Sequence, residues 1–358
     1  VSAGKASLQG SAQNGGTLVG TAGSNRGAGY WSLVWRQFRR DRLAMAGLTV
    51  VAGLFVVAIF ADFLANDKPY YMRYQGASYF PIFRSYLVQM GVGKWPPELL
   101  NVDFKELEGE TKVFPPIPYR SNNIDLRAPF ADPSPEHWLG TDKLGRDVMA
   151  GVVHGSRISL FIGFVSVGIS LTIGIVLGAL AGFFGSWVDL LISRLFELML
   201  AIPTFFLLIT IAALLPPSIF LTMSVIGMTS WVGIARFTRN EFLKIRNLDY
   251  VTAAIALGVS NRQVMFRHIL PNALAPVMVS VVLGIAAAIL VESSLSFLGI
   301  GVPADLVTWG SILNEARSNS FAWWLAVFPG LAIFITVLAY YLVGEGLRDA
   351  LDPRLRGS

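Results

Sequence analysis

Long uncharged apolar runs alternate with short charged stretches along most of this chain. Residues 43–64 form the first run, and a helix needs about 20 such residues to cross the hydrocarbon core of a bilayer. Residues 158–182, 190–215, 218–235, 273–297 and 323–343 form five more. The second contains Gly163, Gly168, Gly174, Gly178 and Gly182, which predicts close helix packing, because small residues let backbones approach in lipid. The third ends at Pro216-Pro217 and carries Pro203, which predicts a kink. The pattern predicts an all-α integral membrane protein with six transmembrane helices.

Charge then orients the spans. Arg36, Arg39, Arg40 and Arg42 precede the first run, and basic residues beside a span favour the cytoplasmic side. Six crossings return the chain to the same side. Between runs four and five lie Arg236, Arg239, Lys244, Arg246, Arg262 and Arg267 against Glu241 and Asp249, and Arg348, Arg354 and Arg356 follow the last run. Both termini are therefore expected in the cytoplasm. Residues 1–30, rich in Gly, Ser and Ala, have too little apolar surface to order themselves and are expected to be a disordered cytoplasmic tail. They do not read as a cleavable signal, because the first apolar run begins only near Leu43 and no small-residue cleavage site follows it.

The expected organisation continues with a basic segment and first span at 31–64 and a loop at 65–157. A five-helix core follows at 158–343, with a cytoplasmic loop at about 236–272, and then a cytoplasmic tail at 344–358. The 65–157 loop holds Trp95-Pro96-Pro97 and Phe114-Pro115-Pro116-Ile117-Pro118. Loops longer than about 60 residues translocate regardless of charge, and loops this long tend to be functional. A small extracytoplasmic subdomain is expected there rather than an unordered extension.

Composition narrows the chemistry. Hydrophobic residues make up 54% and charged residues 14%, against about 25% charged in soluble domains. The net charge of +5 sits beside the spans, where it sets orientation, and no basic stripe with interleaved aromatics suggests nucleic acid. Without cysteine there are no disulfides, zinc-thiolate sites or thiol nucleophiles. His137, His154 and His268 are too scattered to form a helical metal-binding pair. No Gly-x-x-x-x-Gly-Lys-Ser/Thr string occurs, so this chain is not expected to bind ATP by that device.

The stretch from Asp249 to Asn272 carries the strongest local pattern. Asp249 is placed to cap a short helix. Ala253, Ala254 and Gly258 make much of one side small, so another backbone can come close. Gly258 suits a helix end. Ser260 with Gln263 predicts a capping box that starts a second short helix, and Pro271 disfavours its continuation beyond Leu270.

Ala253-Ala254, Gly258 and Leu270-Pro271 at this spacing resemble the cytoplasmic EAA loop of ABC importer permeases. Thr252 stands where that family usually has Glu, and His268 fits the peptide-permease form Phe-Arg-His-Ile-Leu-Pro-Asn. Leu139-Gly-Thr-Asp142, Gly145-Arg-Asp147 and Gly155-Ser-Arg157 resemble the entry to the second span of dipeptide and oligopeptide permeases. Ser294-Leu-Ser-Phe-Leu-Gly299-Ile-Gly301 and Gly346-Leu-Arg-Asp349 resemble the end of their fifth span and their C-terminal tail. Ala65-Asn-Asp-Lys-Pro69 and Tyr79-Phe-Pro81 look like the branch that imports oligopeptides and microcin C.

The resemblance implies the fold of an ABC type I importer permease in a bacterial inner membrane. Thr252, Ala253, Ala254, Gly258, His268, Leu270 and Pro271 would then belong to a coupling helix docked on an ATPase subunit. It also implies a second homologous permease, two ATP-binding subunits that hold ATP and Mg, and a periplasmic or lipid-anchored peptide-binding protein. No cofactor and no covalent chemistry are expected in this chain itself.

Other polar groups stand out within the spans. Arg194 and Glu197, three apart, can pair on one face, either as a contact between helices at a gate or as a static pair close to the cytoplasmic interface. Glu292, near the outer end of the fifth run, either lines the path and attracts a peptide amino terminus or meets headgroups and water. Trp309, Trp323 and Trp324 read as interface anchors. An ion-coupled secondary transporter is the competing reading, against which stands the lack of an obvious inverted repeat with paired broken helices. An intramembrane enzyme would need a charged catalytic pair or an HExxH motif, and the spans have neither.

Overall fold

The computed structural model describes residues 30–100, 102–107 and 111–351. The expected disordered tail lies outside the described residues, as do Arg354 and Arg356. The helices in order are α1 (Tyr30–Phe38), α2 (Arg42–Ile59) and α3 (Ala61–Leu64), then α4 (Pro81–Gln89), α5 (Val148–Phe184), α6 (Ser186–Ala201) and α7 (Thr204–Leu214). They continue with α8 (Ile219–Arg246), α9 (Asp249–Ala256), α10 (Asn261–Gln263), α11 (Leu270–Phe297), α12 (Trp309–Ala316) and α13 (Trp324–Leu351). A π-helical turn, Val264–Ile269, joins α10 to α11, so one helical rod runs Asn261–Phe297. Strands β1 (Tyr71–Tyr74), β2 (Ala77–Tyr79) and β3 (Thr111–Val113) form an antiparallel sheet in the order β2-β1-β3.

Among the described residues five helices are long and apolar enough to cross a membrane, and the pair α6–α7 makes a sixth if it is one span. The pair bends by 76° at Ile202-Pro203, where the expected kink becomes a break. Proline removes a backbone donor and its ring crowds the preceding turn. Several runs extend beyond their apolar limits. Helix α5 begins at Val148, before the expected start at 158, because Asp147 accepts from the Ala150 amide and caps it. Its 37 residues reach about 55 Å, longer than the membrane is thick. Helix α13 likewise continues to Leu351, so residues 344–351 are helix rather than tail.

Helices α5 and α8 run parallel in the centre of the bundle. A Cβ on Gly178 would lie 2.4 Å from the Ala235 carbonyl oxygen and 2.7 Å from the Thr238 Cβ. Gly174 and Gly182 are similarly crowded by α8, Gly163 faces Ile285 and Ile289 of α11 instead, and Gly168 has open space. Ser166 and Ser170 donate across the same contact to the Met223 and Gly227 carbonyls at 3.1 and 2.8 Å. Lipid offers no hydrophobic drive between helices, so close backbone packing and such hydrogen bonds hold them. Helix α11 closes the core through Ile285 and Ile289, and α2 and α13 pack outside it.

One end of the bundle gathers α1, the C-terminus of α13, the C-termini of α5 and α8, and α9. The other carries α12 and the 65–147 segment with the sheet and α4. Two of the three expected tryptophan anchors are buried at that end. Trp309 and Trp324 are each about 1% exposed and donate to the Val152 and Thr141 carbonyls, so they are core residues. Only Trp323 is exposed.

The α5–α8 contact predicts opposite signs for one substitution at two glycines. Gly178→Ala overpacks a rigid backbone contact and should cost about 1–3 kcal/mol. Gly233→Ala, with open space around it, should be neutral or raise stability by roughly 0.5–1 kcal/mol through helix propensity. Thermal unfolding of the detergent-solubilised chain checks both, and equal losses would contradict the packing described.

Candidate functional site

The loop between α8 and the 261–297 rod is built by local chemistry. Leu248, in extended conformation, precedes α9, and no side chain caps the helix start. Asp249 sits inside the first turn instead of capping it, where its charge still favours the helix N-terminus. The helix ends in a Schellman turn: the Val259 amide donates to the Ala254 carbonyl and the Gly258 amide to that of Ile255, at 3.1 and 3.0 Å. Gly258 has φ +79°, which a side chain would strain. Ser260 then accepts from the Gln263 amide at 3.4 Å. The expected stop at Leu270 does not occur. Pro271 lies in the first turn of α11, where its missing amide is tolerated, and the helix passes through it.

This loop has two faces. Val251 is buried with Val264, Met265 and Ile269 against Phe242 and Ile245 of α8, and Ala254 is buried as well. Thr252, Ala253, Ala256, Leu257 and Gly258 are exposed, Leu257 at 84%. The small positions singled out in the sequence are therefore divided, with Ala254 facing inward. Thr252 donates to the Leu248 carbonyl at 3.1 Å and is tied to its own helix. His268 is half-buried, and its carbonyl accepts from Asn272 Nδ2 at 2.8 Å and from the Tyr250 hydroxyl at 3.4 Å. Leu270 is half-buried and Pro271 exposed.

Arg194 and Glu197 pair at 2.5 Å on α6 and remain 66% and 61% exposed. A different pair joins helices here: Arg239 of α8 holds Asp189 of α6 with both guanidinium arms, Nη2–Oδ2 at 2.6 Å. Glu292 is fully buried, which fits neither a path-lining residue nor one at headgroups. Ser296 donates to it at 2.8 Å, and Ser293 and Ser159 lie at 3.4 and 3.5 Å.

At the opposite end, Arg146 Nη2 bonds Glu315 of α12 at 2.9 Å while its Nε bonds Asp142. The Lys143 amide donates to Glu315 at 3.3 Å. This knot ties the stretch before α5 to α12. Sequence reasoning singled out Asp142 and Arg146 as a motif but had no signal for Glu315, which lies 169 residues from Arg146.

The model of the binding-protein-dependent transport system inner membrane component matches residues 174–357. The chain is also 34% identical over 327 residues to the dipeptide transport system permease protein DppC of Alkalihalophilus pseudofirmus, covering 91% of this chain and 90% of that one. The chain belongs to this family of importer permeases. The permease shares 33% identity over 329 residues with the inner membrane ABC transporter permease protein YejE of Escherichia coli, covering 89% and 96% of the two chains. It shares 31% over 334 residues with the oligopeptide transport system permease protein OppC of Bacillus subtilis, covering 93% and 92%. Residues 29–81 match the N-terminal TM domain of oligopeptide transport permease C. The permease is thus an inner-membrane protein of the peptide-importer kind, in a family whose members work with ATPase and substrate-binding partners.

Two outcomes follow from the Arg146 knot. Arg146→Ala strips Asp142 of its guanidinium and leaves Glu315 only the exposed Lys143 at 3.7 Å, and should cost about 3–5 kcal/mol in thermal unfolding. Burial first, and then the Asp142 charge, push the Glu315 carboxyl above its ordinary 4.5 against the opposing pull of Lys143 and Arg146. A carboxyl raised by folding binds its proton more tightly when folded. Its stabilising contribution is therefore present below 4.5 and is lost as pH rises through the folded value. The unfolding temperature of Glu315→Gln should accordingly gain on the wild type as pH rises above 4.5, and a gap that is constant with pH would contradict this.

Proposed function

We propose that this permease forms one half of a pathway that carries oligopeptides inward by alternating access, driven by ATPase subunits that dock on α9. The exposed side of α9 carries this reading. A rigid, Schellman-ended helix presents Ala253, Ala256 and Leu257 outward while its other side is packed into the bundle. An exposed apolar patch of this kind marks a contact surface. The site consists of Thr252, Ala253 and Gly258 on the docking side, with Ala254, His268 and Leu270 turned toward the bundle and the exposed Pro271 beside them. ATP and Mg would reside on two separate ATP-binding subunits.

Sidedness comes from charge. Arg36, Arg39, Arg40, Arg262, Arg267 and Arg348 all belong to the end that carries α9, and the positive-inside rule puts that end and both termini in the cytoplasm. The 65–147 segment then faces outward, where a peptide-binding protein would deliver substrate. Six crossings satisfy this arrangement, with α6–α7 as one broken span.

Arg194 and Glu197 support a second permease. Ionisable groups in a span are costly against lipid and face protein or a wet cavity, yet this pair is exposed in the single chain. A homologous permease against α6 supplies that cover and places the pair beside the path. The names of the relatives speak of dipeptides and oligopeptides, and the shared chemistry is a short peptide backbone. Peptide antibiotics of the microcin C kind fall within that class.

The test is peptide uptake and ATP hydrolysis in liposomes holding the permease with its second permease, ATPase subunits and binding protein. Gly258→Trp would strain the turn itself, so Ala253→Trp and Leu257→Asp are the better probes. Each should lower coupled uptake by roughly 30-fold, as loss of about 2 kcal/mol at an interface centre does. Normal coupled uptake in both would overturn docking at α9. Uptake by the wild type without any ATPase subunit would favour an ion-coupled transporter.

A further inference from the structure

Helix α4 lies against the membrane end of α2 and α3, and it is held there. Asp62 of α3 accepts from the Tyr86 hydroxyl of α4 at 2.8 Å and pairs with Arg157 of α5 at 2.9 Å. Arg157 also donates to the Ala58 carbonyl at the end of α2 at 2.8 Å. On the inner side of α4, Ile82 is fully buried. On the other side Phe80, Phe83, Leu87 and Met90 are exposed at helical spacing, and Val92 continues the stripe.

This stripe continues the exposed apolar surface of α2, a helix long and apolar enough to cross a membrane. Val56, Ile59 and Phe60 are exposed on the last turns of α2. Ring contacts carry that surface onward, from Phe60 to Phe63 at 6.1 Å, Phe63 to Phe83 at 5.7 Å and Phe83 to Phe80 at 6.4 Å. Beside the stripe lies an apolar groove of about 610 Å³ that includes Leu87, Trp95 and Pro96. Arg84, which lines the groove with Trp95, donates to the Lys94 carbonyl at 2.7 Å, and the exposed Lys94 directly precedes Trp95 in the chain. Nine residues are too few to cross a bilayer. Apolar residues on one side, with basic and aromatic residues at the edge, suit a helix lying in the interface plane.

From this continuity we infer that α4 is bedded in the lipid leaflet at the end of the bundle that carries the sheet. Phe80, Phe83, Leu87 and Met90 enter the acyl boundary, and Arg84 and Lys94 meet headgroup phosphates. The contact makes the 65–147 segment a membrane-anchored platform held beside the outer mouth. It rests on the membrane placement of α2 and not on what is transported.

The chain has no cysteine, so Leu87→Cys and Met90→Cys each give one nitroxide position when the partner subunits are made cysteine-free. The assembled transporter is reconstituted in phosphatidylethanolamine and phosphatidylglycerol vesicles. Accessibility to oxygen and to a nickel chelate is then read by electron paramagnetic resonance. The oxygen-to-nickel ratio should exceed one at both positions, as at Val56→Cys, and fall below one at Thr111→Cys on the sheet. A ratio below one at positions 87 and 90 would place α4 in water and overturn the inference. Low accessibility to both reagents would show a protein partner covering the stripe and would equally overturn it. Wild-type complex illuminated with diazirine-bearing phospholipid gives an independent reading. Adducts should appear within residues 80–92 as well as in α2, and adducts in α2 alone would overturn the proposal.

Discussion

The architecture depends on how closely two backbones can approach where there is no water to expel. Along α5 and α8 the contact is made by glycines at 174, 178 and 182 and by serines that reach the facing carbonyls. Dispersion between closely apposed main chains replaces the hydrophobic drive that would hold a soluble core. Several of the other helices are placed by reference to that pair. Helix α11 packs on α5 through Ile285 and Ile289, Arg239 of α8 fixes α6 through Asp189, and the ends of α5 and α8 form the seat for α9.

Charge and polarity are then used at the ends and at a few interior points. Outside the spans, Arg146 and Arg157 each join segments distant in sequence, one to α12 and the other to α2 and α3. Inside, Glu292 is enclosed by hydroxyls of its own helix and of α5. Such groups are costly to bury alone and are therefore fully partnered. They set register between elements where apolar surfaces could slide.

Much of this was legible in the sequence because membrane-spanning helices announce themselves by length and composition. Positions, rather than identities, were harder to read. Apolar runs mark the lipid-covered part of a helix, so the extra turns of α5, α8 and α13 outside the bilayer were missed. The charge of Glu292 was visible, but its enclosure came from Ser159, which lies 133 residues earlier. Trp309 and Trp324 looked like anchors because tryptophan is common at interfaces, whereas here their indole N–H groups satisfy buried carbonyls. Pro271 was read as a stop, although a proline in the first turn of a segment is harmless. Residues 82–173, which hold α4 and the approach to α5, lie outside both matched family regions.

The unbroken rod from Asn261 to Phe297 has a mechanical consequence. At about 1.5 Å per residue its 37 residues form a lever roughly 55 Å long. A tilt of about 5° about its midpoint would move each end by roughly 2–3 Å in opposite directions. The end beside α9 and the end at Ser296, which packs on Gly310 of α12, are therefore geometrically geared to each other. The π turn at Val264–Ile269, Pro271 and Pro276 all lie in the half nearer α9, so the half that ends at Ser296 is the stiffer arm.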